Sequence, residues 1–299
     1  MRSRDAWPWV ALATVYLVWG STYLGIRVAV ETLPPYLMTG VRWLSAGTLL
    51  FAWQWFASKE RPALPTREGL VQIAVTALLL LVLGNGLLCI AELRVESGTS
   101  ALLIATTPIW MLLIDAALTR TAPRLAAIAG VALGTTGIAL LAGRGKGHAD
   151  AFYGGIIVLA SIAWAAGSLY ARGKHHGPAT AALEMIAGGV FCIIAGLLFG
   201  EASHLKLAAI SRESIWGMVW LITGGAMVGY SAYAYVVRTL PVATVATYGY
   251  VNPVVAVLLG ALILHEPVTW NVVAGGGAIV ASVVLILLGS RRTAEEIVA

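Results

Sequence analysis

Leu17-Val18-Trp19-Gly20-Ser21-Thr22-Tyr23-Leu24 and Ile162-Ala163-Trp164-Ala165-Ala166-Gly167-Ser168-Leu169 place the same tryptophan and the same leucine in two apolar runs that lie 145 residues apart. The offset holds elsewhere in the chain. Arg27 falls on Arg172, Gly84 on Gly229, Thr99 on Thr244, Ala101 on Ala246 and Pro108 on Pro253, and Ala129-Gly130 falls on Ala274-Gly275. In an apolar sequence, matches of alanine, glycine and leucine carry little weight, but matches of tryptophan and proline carry more. One offset that serves most of the chain reads as an internal duplication with halves at 1–145 and 146–299; the competing reading is a chance alignment of apolar sequence.

Each half consists of long apolar runs. Of the 299 residues, 59% are hydrophobic and 11% charged, against about 25% charged in an ordinary soluble domain. A bilayer tolerates such a surface and water does not. Spanning a bilayer core takes roughly 20 apolar residues. Ten runs meet that length: 7–29, 36–57, 69–91, 97–119, 124–142, 152–172, 179–200, 213–237, 242–264 and 269–289. The first continues too far for the h-region of a signal peptide and is expected to be a membrane helix. The expected fold class is an all-α integral membrane protein of ten transmembrane helices, five to a half. Five is odd, so the second half enters the membrane upside down. Such inverted-topology repeats are a common plan of secondary transporters.

The net charge of +5 has a topological explanation. Lys and Arg accumulate on cytoplasmic loops. With the N-terminus inside, the inner segments hold twelve of them: Arg2, Arg4, Lys59, Arg61, Arg67, Arg120, Arg124, Arg172, Lys174, Arg238, Arg291 and Arg292. The outer segments hold six: Arg27, Arg94, Arg144, Lys146, Lys206 and Arg212, with Arg42 left inside a helix. Both termini are therefore expected in the cytoplasm, in a multi-pass protein of a bacterial-type inner membrane.

Several function classes have no support in the sequence. There is no G-x-x-x-x-G-K-[ST] to hold a nucleotide and no H-E-x-x-H to hold zinc. Gly275-Gly276-Gly277 is better suited to close helix packing. The two cysteines, Cys89 and Cys192, lie in apolar runs and offer neither a disulfide framework nor metal-ligand spacing. No nucleophile–base pair stands out. No catalytic residue, cofactor or metal is expected, and nucleic acid is not an expected partner.

The candidate site residues are those placed against the ordinary pattern. Trp and Tyr usually populate the membrane interfaces, and Trp7, Trp9, Trp53, Trp55, Trp216 and Trp270 lie near helix ends. Trp19, Trp110 and Trp164 lie near helix centres, and Tyr230 and Tyr248 are well inside their runs. They either face lipid or line a cavity. For Trp19 and Trp164 the repeat favours the cavity, because the repeat interface and the substrate site coincide in such folds. Aromatic walls suit aromatic or amphipathic solutes and can hold an ammonium by cation–π contact. Pro108 and Pro253 fall mid-run and free the carbonyls of Ile104 and Gly249, as kinks that either act as hinges or are simply packed. Asn85, between Gly84 and Gly86, either binds substrate or bonds a neighbouring helix. Among the ionisable residues within runs, Arg42, Asp115 and Glu184 are candidates by default. Glu184 and Asp115 lie near helix ends, where long side chains snorkel, and either does so or couples protons.

The pattern as a whole resembles the drug/metabolite transporter superfamily, and its EamA family in particular. The resemblance rests on Val18-Trp19-Gly20-Ser21-Thr22, Gly40-Val41-Arg42-Trp43-Leu44, Leu264-His265-Glu266-Pro267-Val268 and Val273-Ala274-Gly275-Gly276-Gly277-Ala278-Ile279-Val280, and it covers essentially the whole chain. Within the family the chain is most similar to YddG-type amino-acid exporters. The resemblance implies a basket of helices around a central cavity lined by Trp19, Tyr23, Asn85, Trp110, Trp164, Tyr230, Tyr248 and Asn252. It also implies a structural role for Arg42 and an acid, Glu266, closing the ninth helix. The first-half equivalent of that acid is missing, since the stretch reads Thr119-Arg120-Thr121. The implied function is export of amino acids, aromatic and neutral ones included, by alternating access. The alternatives are export of drugs, nucleosides or other small metabolites and, from a different class, a membrane-embedded enzyme. The implied partners are a small-molecule solute and membrane lipid, with the chain as a monomer.

Overall fold

A bilayer interior offers no water to backbone N–H and C=O groups, so a chain this apolar must satisfy them within each segment. The computed structural model shows this outcome. It describes residues 6–57, 65–120, 125–141, 151–171, 179–240 and 247–298, and every regular element among them is helical. The expected boundary of the halves at 145/146, the start of the ninth run at 242–246, and many of the cations behind the topology argument (Lys59, Arg61, Arg124, Arg144, Lys146, Arg172 and Lys174) lie outside the described residues.

In chain order the principal helices are α1 (Trp7–Ala29), α2 (Pro35–Ala57), α3 (Arg67–Ala91), α4 (Ser97–Thr119), α5 (Leu125–Leu141), α6 (Ala151–Ala171), α7 (Thr180–Leu198), α8 (Arg212–Tyr233, continuing as helix to Thr239), α9 (Tyr248–Ile263) and α10 (Trp270–Val298). Six of these, α1, α3, α4, α6, α7 and α8, are long and apolar enough to cross a membrane. The helices α5, α9 and α10 carry shorter apolar stretches, Ile128–Leu140, Val251–Ile263 and Trp270–Ser282. Of the ten expected crossings, length and composition thus establish six. The 23-residue α2 has the length, but Arg42, Gln54 and three tryptophans make it more polar. The helix α10 runs nine residues beyond its expected end at 289, because the polar stretch Arg291-Arg292-Thr293-Ala294-Glu295-Glu296 is made mostly of good helix formers.

The packing of the helices follows the duplication. The helix α1 packs on α9, and its counterpart α6 packs on α4. Likewise α1 packs on the middle of α8, and α6 on the middle of α3. The remaining large contacts pair α2 with α7 and α5 with α10. In the α2–α7 pair the backbones touch through glycine. A Cβ on Gly47 would come within 2.8 Å of the Ala182 carbonyl oxygen, and one on Gly189 within 2.5 Å of the Leu44 amide nitrogen. Close backbone approach is how helices gain packing energy where lipid removes the hydrophobic drive between them.

Pro108 is a helix start rather than the expected kink. The α4 rod breaks after Ile104 and restarts at Thr107, with Pro108 in the first turn, where a missing N–H costs nothing. The freed Ile104 carbonyl accepts a hydrogen bond from the Thr107 hydroxyl at 2.6 Å, and Leu103 accepts one from Thr106 at 2.6 Å. Pro253 lies inside α9.

Gly47→Val and Gly189→Val are expected to destabilise the fold by about 2 kcal/mol or more, since overpacking against backbone leaves no side chain free to yield. Gly155→Val, at a position with nothing within 4 Å, should be neutral. Thermal unfolding of the purified proteins in detergent checks both expectations.

Candidate functional site

The candidate site begins with a departure from α-helical geometry that appears twice. The middle of α3, Leu78–Gly86, is π-helical, and so is the middle of α8, Leu221–Tyr230. The 145-residue offset maps one stretch nearly onto the other. Single π-turns are already rare and concentrate at functional sites. Each stretch carries a glycine that receives a tryptophan from the opposite half. A Cβ on Gly84 would meet the Trp164 ring at 3.0 Å, and a Cβ on Gly229 would meet the Trp19 ring at 2.6 Å. Trp19 Nε1 also donates to the carbonyl oxygen of Gly225 at 3.2 Å. When a residue of one half touches a residue of the other and the equivalent pair touches in return, the halves are related by a two-fold. The four residues of this contact are the ones that the offset pairs in the sequence.

An aromatic cluster surrounds this joint. The Trp19 ring lies 4.8 Å from Tyr233 and 5.6 Å, edge-on, from Tyr248, and Tyr233 and Tyr248 are edge-on at 5.7 Å. Tyr230 lies 6.3 Å from Tyr233 and 6.5 Å from Trp43, and it shares a packed cluster with Trp43 and Trp164. Trp19, Trp164, Tyr230, Tyr233 and Tyr248 are each partly buried. Tyr230 donates its hydroxyl to Glu184 Oε2 at 3.0 Å. Glu184 is therefore tied to the aromatic cluster.

Of the expected cavity residues, Trp19, Trp164, Tyr230 and Tyr248 come together here. Asn85 joins them through its bonds to a neighbouring helix: its Oδ1 accepts from Trp43 Nε1 at 3.3 Å and from Arg42 Nη1 at 3.4 Å. Tyr23 packs against the adjoining apolar core. Asn252 is buried beside α1, where its main-chain oxygen closes on Gly20, and its side-chain Oδ1 has no hydrogen-bond partner. Trp110 lies beyond the α4 break and donates to Thr106 Oγ1 at 3.2 Å, with no ring contact to the cluster. Sequence reasoning missed Tyr233. Its signal is position alone, one helical turn from Tyr230.

The EamA-like transporter family model matches residues 7–143 and again 153–288. The chain belongs to the EamA-like transporter family. It is 37% identical to the "Uncharacterized inner membrane transporter YedA" of Escherichia coli, over 97% of this chain and 94% of that protein. It is 25% identical to the "Uncharacterized transporter YvbV" of Bacillus subtilis, over 92% and 90%. To "Protein PagO" of Salmonella typhimurium it is 26% identical over 62% and 60%. A solved crystal structure superposes with a TM-score of 0.67 over 97% of this chain and 100% of that one, at 17% identity, a likeness of fold alone. The EamA motifs thus identify the family correctly, and the two matched segments show the two-repeat fold.

In this EamA-like chain a second polar group, absent from the sequence expectations, lies just past the end of α3. Glu92 is fully buried, and neither carboxyl oxygen has a hydrogen-bond partner. The nearby Arg27 guanidinium bonds the Glu92 main-chain carbonyl instead of the carboxyl group. Glu266 is also committed: it caps α4, accepting from Ser97 N at 2.8 Å, Ser97 Oγ at 2.9 Å and Gly98 N at 3.1 Å. A carboxylate suits a helix N-terminus, where N–H groups lack partners. Burial first, and then the charge of Glu266, hold the Glu92 carboxyl well above the usual carboxylate range, with Arg27 and Arg42 opposing. The same two causes raise Glu96, against Arg27.

A carboxyl group whose pKa is raised by folding binds its proton more tightly folded than unfolded. Its stabilising effect is complete below the unfolded value and fades as pH rises toward the folded one. The thermal midpoint in detergent is therefore expected to fall as pH climbs above 4.5, the ordinary value. Glu92→Gln, which stays neutral, should flatten that slope. Midpoints of both proteins measured across a pH series test this, and parallel curves would show that Glu92 does not titrate as described.

Proposed function

We propose that the chain is a secondary transporter of the bacterial inner membrane that exports amino acids, aromatic and neutral ones included, by alternating access. The observation that carries the reading is the reciprocal seating of Trp19 on Gly229 and Trp164 on Gly84. It places an aromatic cluster where the two halves meet, and in secondary transporters built from repeats the solute binds at that interface. Family membership and the YedA name, an inner membrane transporter, support transport. The amino-acid solute rests on the YddG-type resemblance and on the fit of aromatic walls to aromatic side chains. In this reading the chain crosses the membrane ten times with both termini cytoplasmic, and the halves are inverted repeats that rock about the α4 break at Pro108 and about Pro253. The cavity is lined by Trp19, Tyr23, Asn85, Trp110, Trp164, Tyr230, Tyr248 and Asn252. Only solute that binds one facing state more tightly than the other can bias that motion.

A second reading has its own observation. The five part-buried rings would accept any flat hydrophobic solute, so drugs or nucleosides fit the same walls.

Counterflow in proteoliposomes loaded with unlabelled amino acid separates the two. Labelled tryptophan, threonine or methionine should enter saturably in the wild type. Trp164→Ala should reduce entry of tryptophan about tenfold or more, from loss of an aromatic contact together with its buried area. Absence of counterflow for all three would move the assignment to drugs or nucleosides.

A further inference from the structure

Arg42 is the one buried cation among the described residues, and it is poorly compensated. It lies in α2, 3% exposed, at the level of both π-helical stretches. Its guanidinium carries five N–H donors. One, on Nη1, makes a 3.4 Å bond to the Asn85 amide on the first π stretch. Nε has no partner at all. Nη2 faces the second π stretch at Gly225, where a Cβ would lie 3.2 Å from it and 2.8 Å from Thr22 Cγ2. The guanidinium is also 4.5 Å from the ring of Trp43, a cation–π contact that offsets part of the burial cost. No carboxylate pairs with Arg42 among the described residues. Glu92, Glu184 and Glu201 are acids of the adjoining elements, and none of them bonds it: Glu92 makes no side-chain hydrogen bond, Glu184 accepts from the Tyr230 hydroxyl at 3.0 Å, and Glu201 is engaged with the amides of Tyr36 and Leu37 at 3.0 and 2.8 Å.

An unpaired buried charge is among the costliest arrangements a protein can hold, and a purely structural guanidinium would be expected to have its hydrogens placed. Arg42 instead adjoins the aromatic cluster on two sides. Its neighbour Trp43 meets Tyr230 edge-on, and the Gly225 beside Nη2 supplies the carbonyl that Trp19 Nε1 bonds. The planar fork of a guanidinium matches a carboxylate bidentately.

We infer that Arg42 is the anion-binding residue of this site and receives the carboxylate of the solute, whose apolar part lies on Trp19, Tyr230, Tyr233 and Tyr248. The inference rests on the transport reading for its solute and on geometry for its charge. The solute class is a monocarboxylate with a flat or apolar body. An aromatic amine without a carboxylate is excluded.

The test is the thermal stability of the purified protein in detergent with three probes: tryptophan, indole-3-propionate, which keeps the carboxylate and lacks the amine, and tryptamine, which keeps the amine and lacks the carboxylate. A ligand that binds only the folded state raises the midpoint. Tryptophan and indole-3-propionate should raise it, and tryptamine should not. Arg42→Lys should retain part of the effect, and Arg42→Gln should weaken carboxylate binding roughly tenfold or more, the loss of a charge-assisted pair. Gly225→Ala keeps the cation but puts a methyl group 3.2 Å from Nη2 and 2.8 Å from Thr22 Cγ2; combined with Thr22→Ser, which removes that Cγ2 and keeps the hydroxyl, it should weaken binding without loss of folding, so the inference stays testable even if Arg42→Gln does not fold. Stabilisation by tryptamine alone, none by either carboxylate, or carboxylate stabilisation undiminished in both Arg42→Gln and the double variant of Gly225→Ala with Thr22→Ser would overturn it. Carboxylate stabilisation of a protein that shows no amino-acid counterflow would uphold Arg42 and overturn the amino-acid reading. Tryptophan counterflow unchanged in Arg42→Gln would do the reverse.

Discussion

A backbone polar group placed at depth in this chain must find its partner inside the protein, and much of the architecture follows from that constraint. Helices satisfy the constraint for the backbone. Where the helix fails, side chains close the gap. The α4 break frees the Ile104 carbonyl, which the Thr107 hydroxyl bonds at 2.6 Å, while the Leu103 carbonyl accepts both the Thr106 amide at 3.1 Å and the Thr106 hydroxyl at 2.6 Å. The next segment down has the same solution on a larger scale: the N–H groups of Ser97 and Gly98 at the start of α4 are met by Glu266 from the far end of the chain. A single carboxylate thus ties the first half to the second while satisfying a helix end that lipid could not.

The joint between the halves obeys the same rule with ring systems. A tryptophan ring at mid-depth is bulky and has one N–H to satisfy. Trp19 meets both needs by lying on Gly229 and donating to the Gly225 carbonyl. The π-helical winding of α8 is where both of those residues lie, and the matching stretch of α3 seats Trp164 on Gly84. Widened helix turns, glycines and tryptophans are therefore parts of one contact, made twice. Substituting a single member leaves its equivalent in place on the other side of the axis.

The 145-residue offset was legible because tryptophan and proline are scarce enough to align by identity, and it paired the residues that the structure brings into contact, though not the contact itself. The aromatic members Trp19, Trp164, Tyr230 and Tyr248 were legible for the same reason, since aromatics away from the interfaces depart from a strong pattern. Pro108 was read as lying within a continuous helix, whereas the rod breaks just before it and restarts there. Sequence shows that a hydrogen bond is missing, but not whether the helix continues through the gap or restarts beside it. Glu92 was invisible because the apolar run ends at Ala91, so a count by hydropathy assigns the next residue to a solvated loop. The structure folds that residue inward until it is fully buried. The π winding left no trace in composition, because it depends on how two helices meet and not on either alone. Tyr233 followed from nothing but its spacing to Tyr230.

Arg42 was read as structural from its family position, and the charge inventory around it argues otherwise. None of the nearby acids bonds it. Glu266 holds the α4 N-terminus, Glu201 holds the amides of Tyr36 and Leu37, and Glu184 accepts from Tyr230. Burial and the charge of Glu266 hold the Glu92 carboxyl well above the usual carboxylate range, and neither of its oxygens bonds Arg42. Arg27, the other nearby cation, bonds a main-chain carbonyl. What remains is one guanidinium with free donors beside an aromatic cluster, in surroundings where Coulomb interactions are screened far less than in water. An ammonium arriving there would add a second positive charge to an uncompensated first. A carboxylate would cancel the charge and fill the donors in one step, which is why the aromatic faces alone do not define the solute.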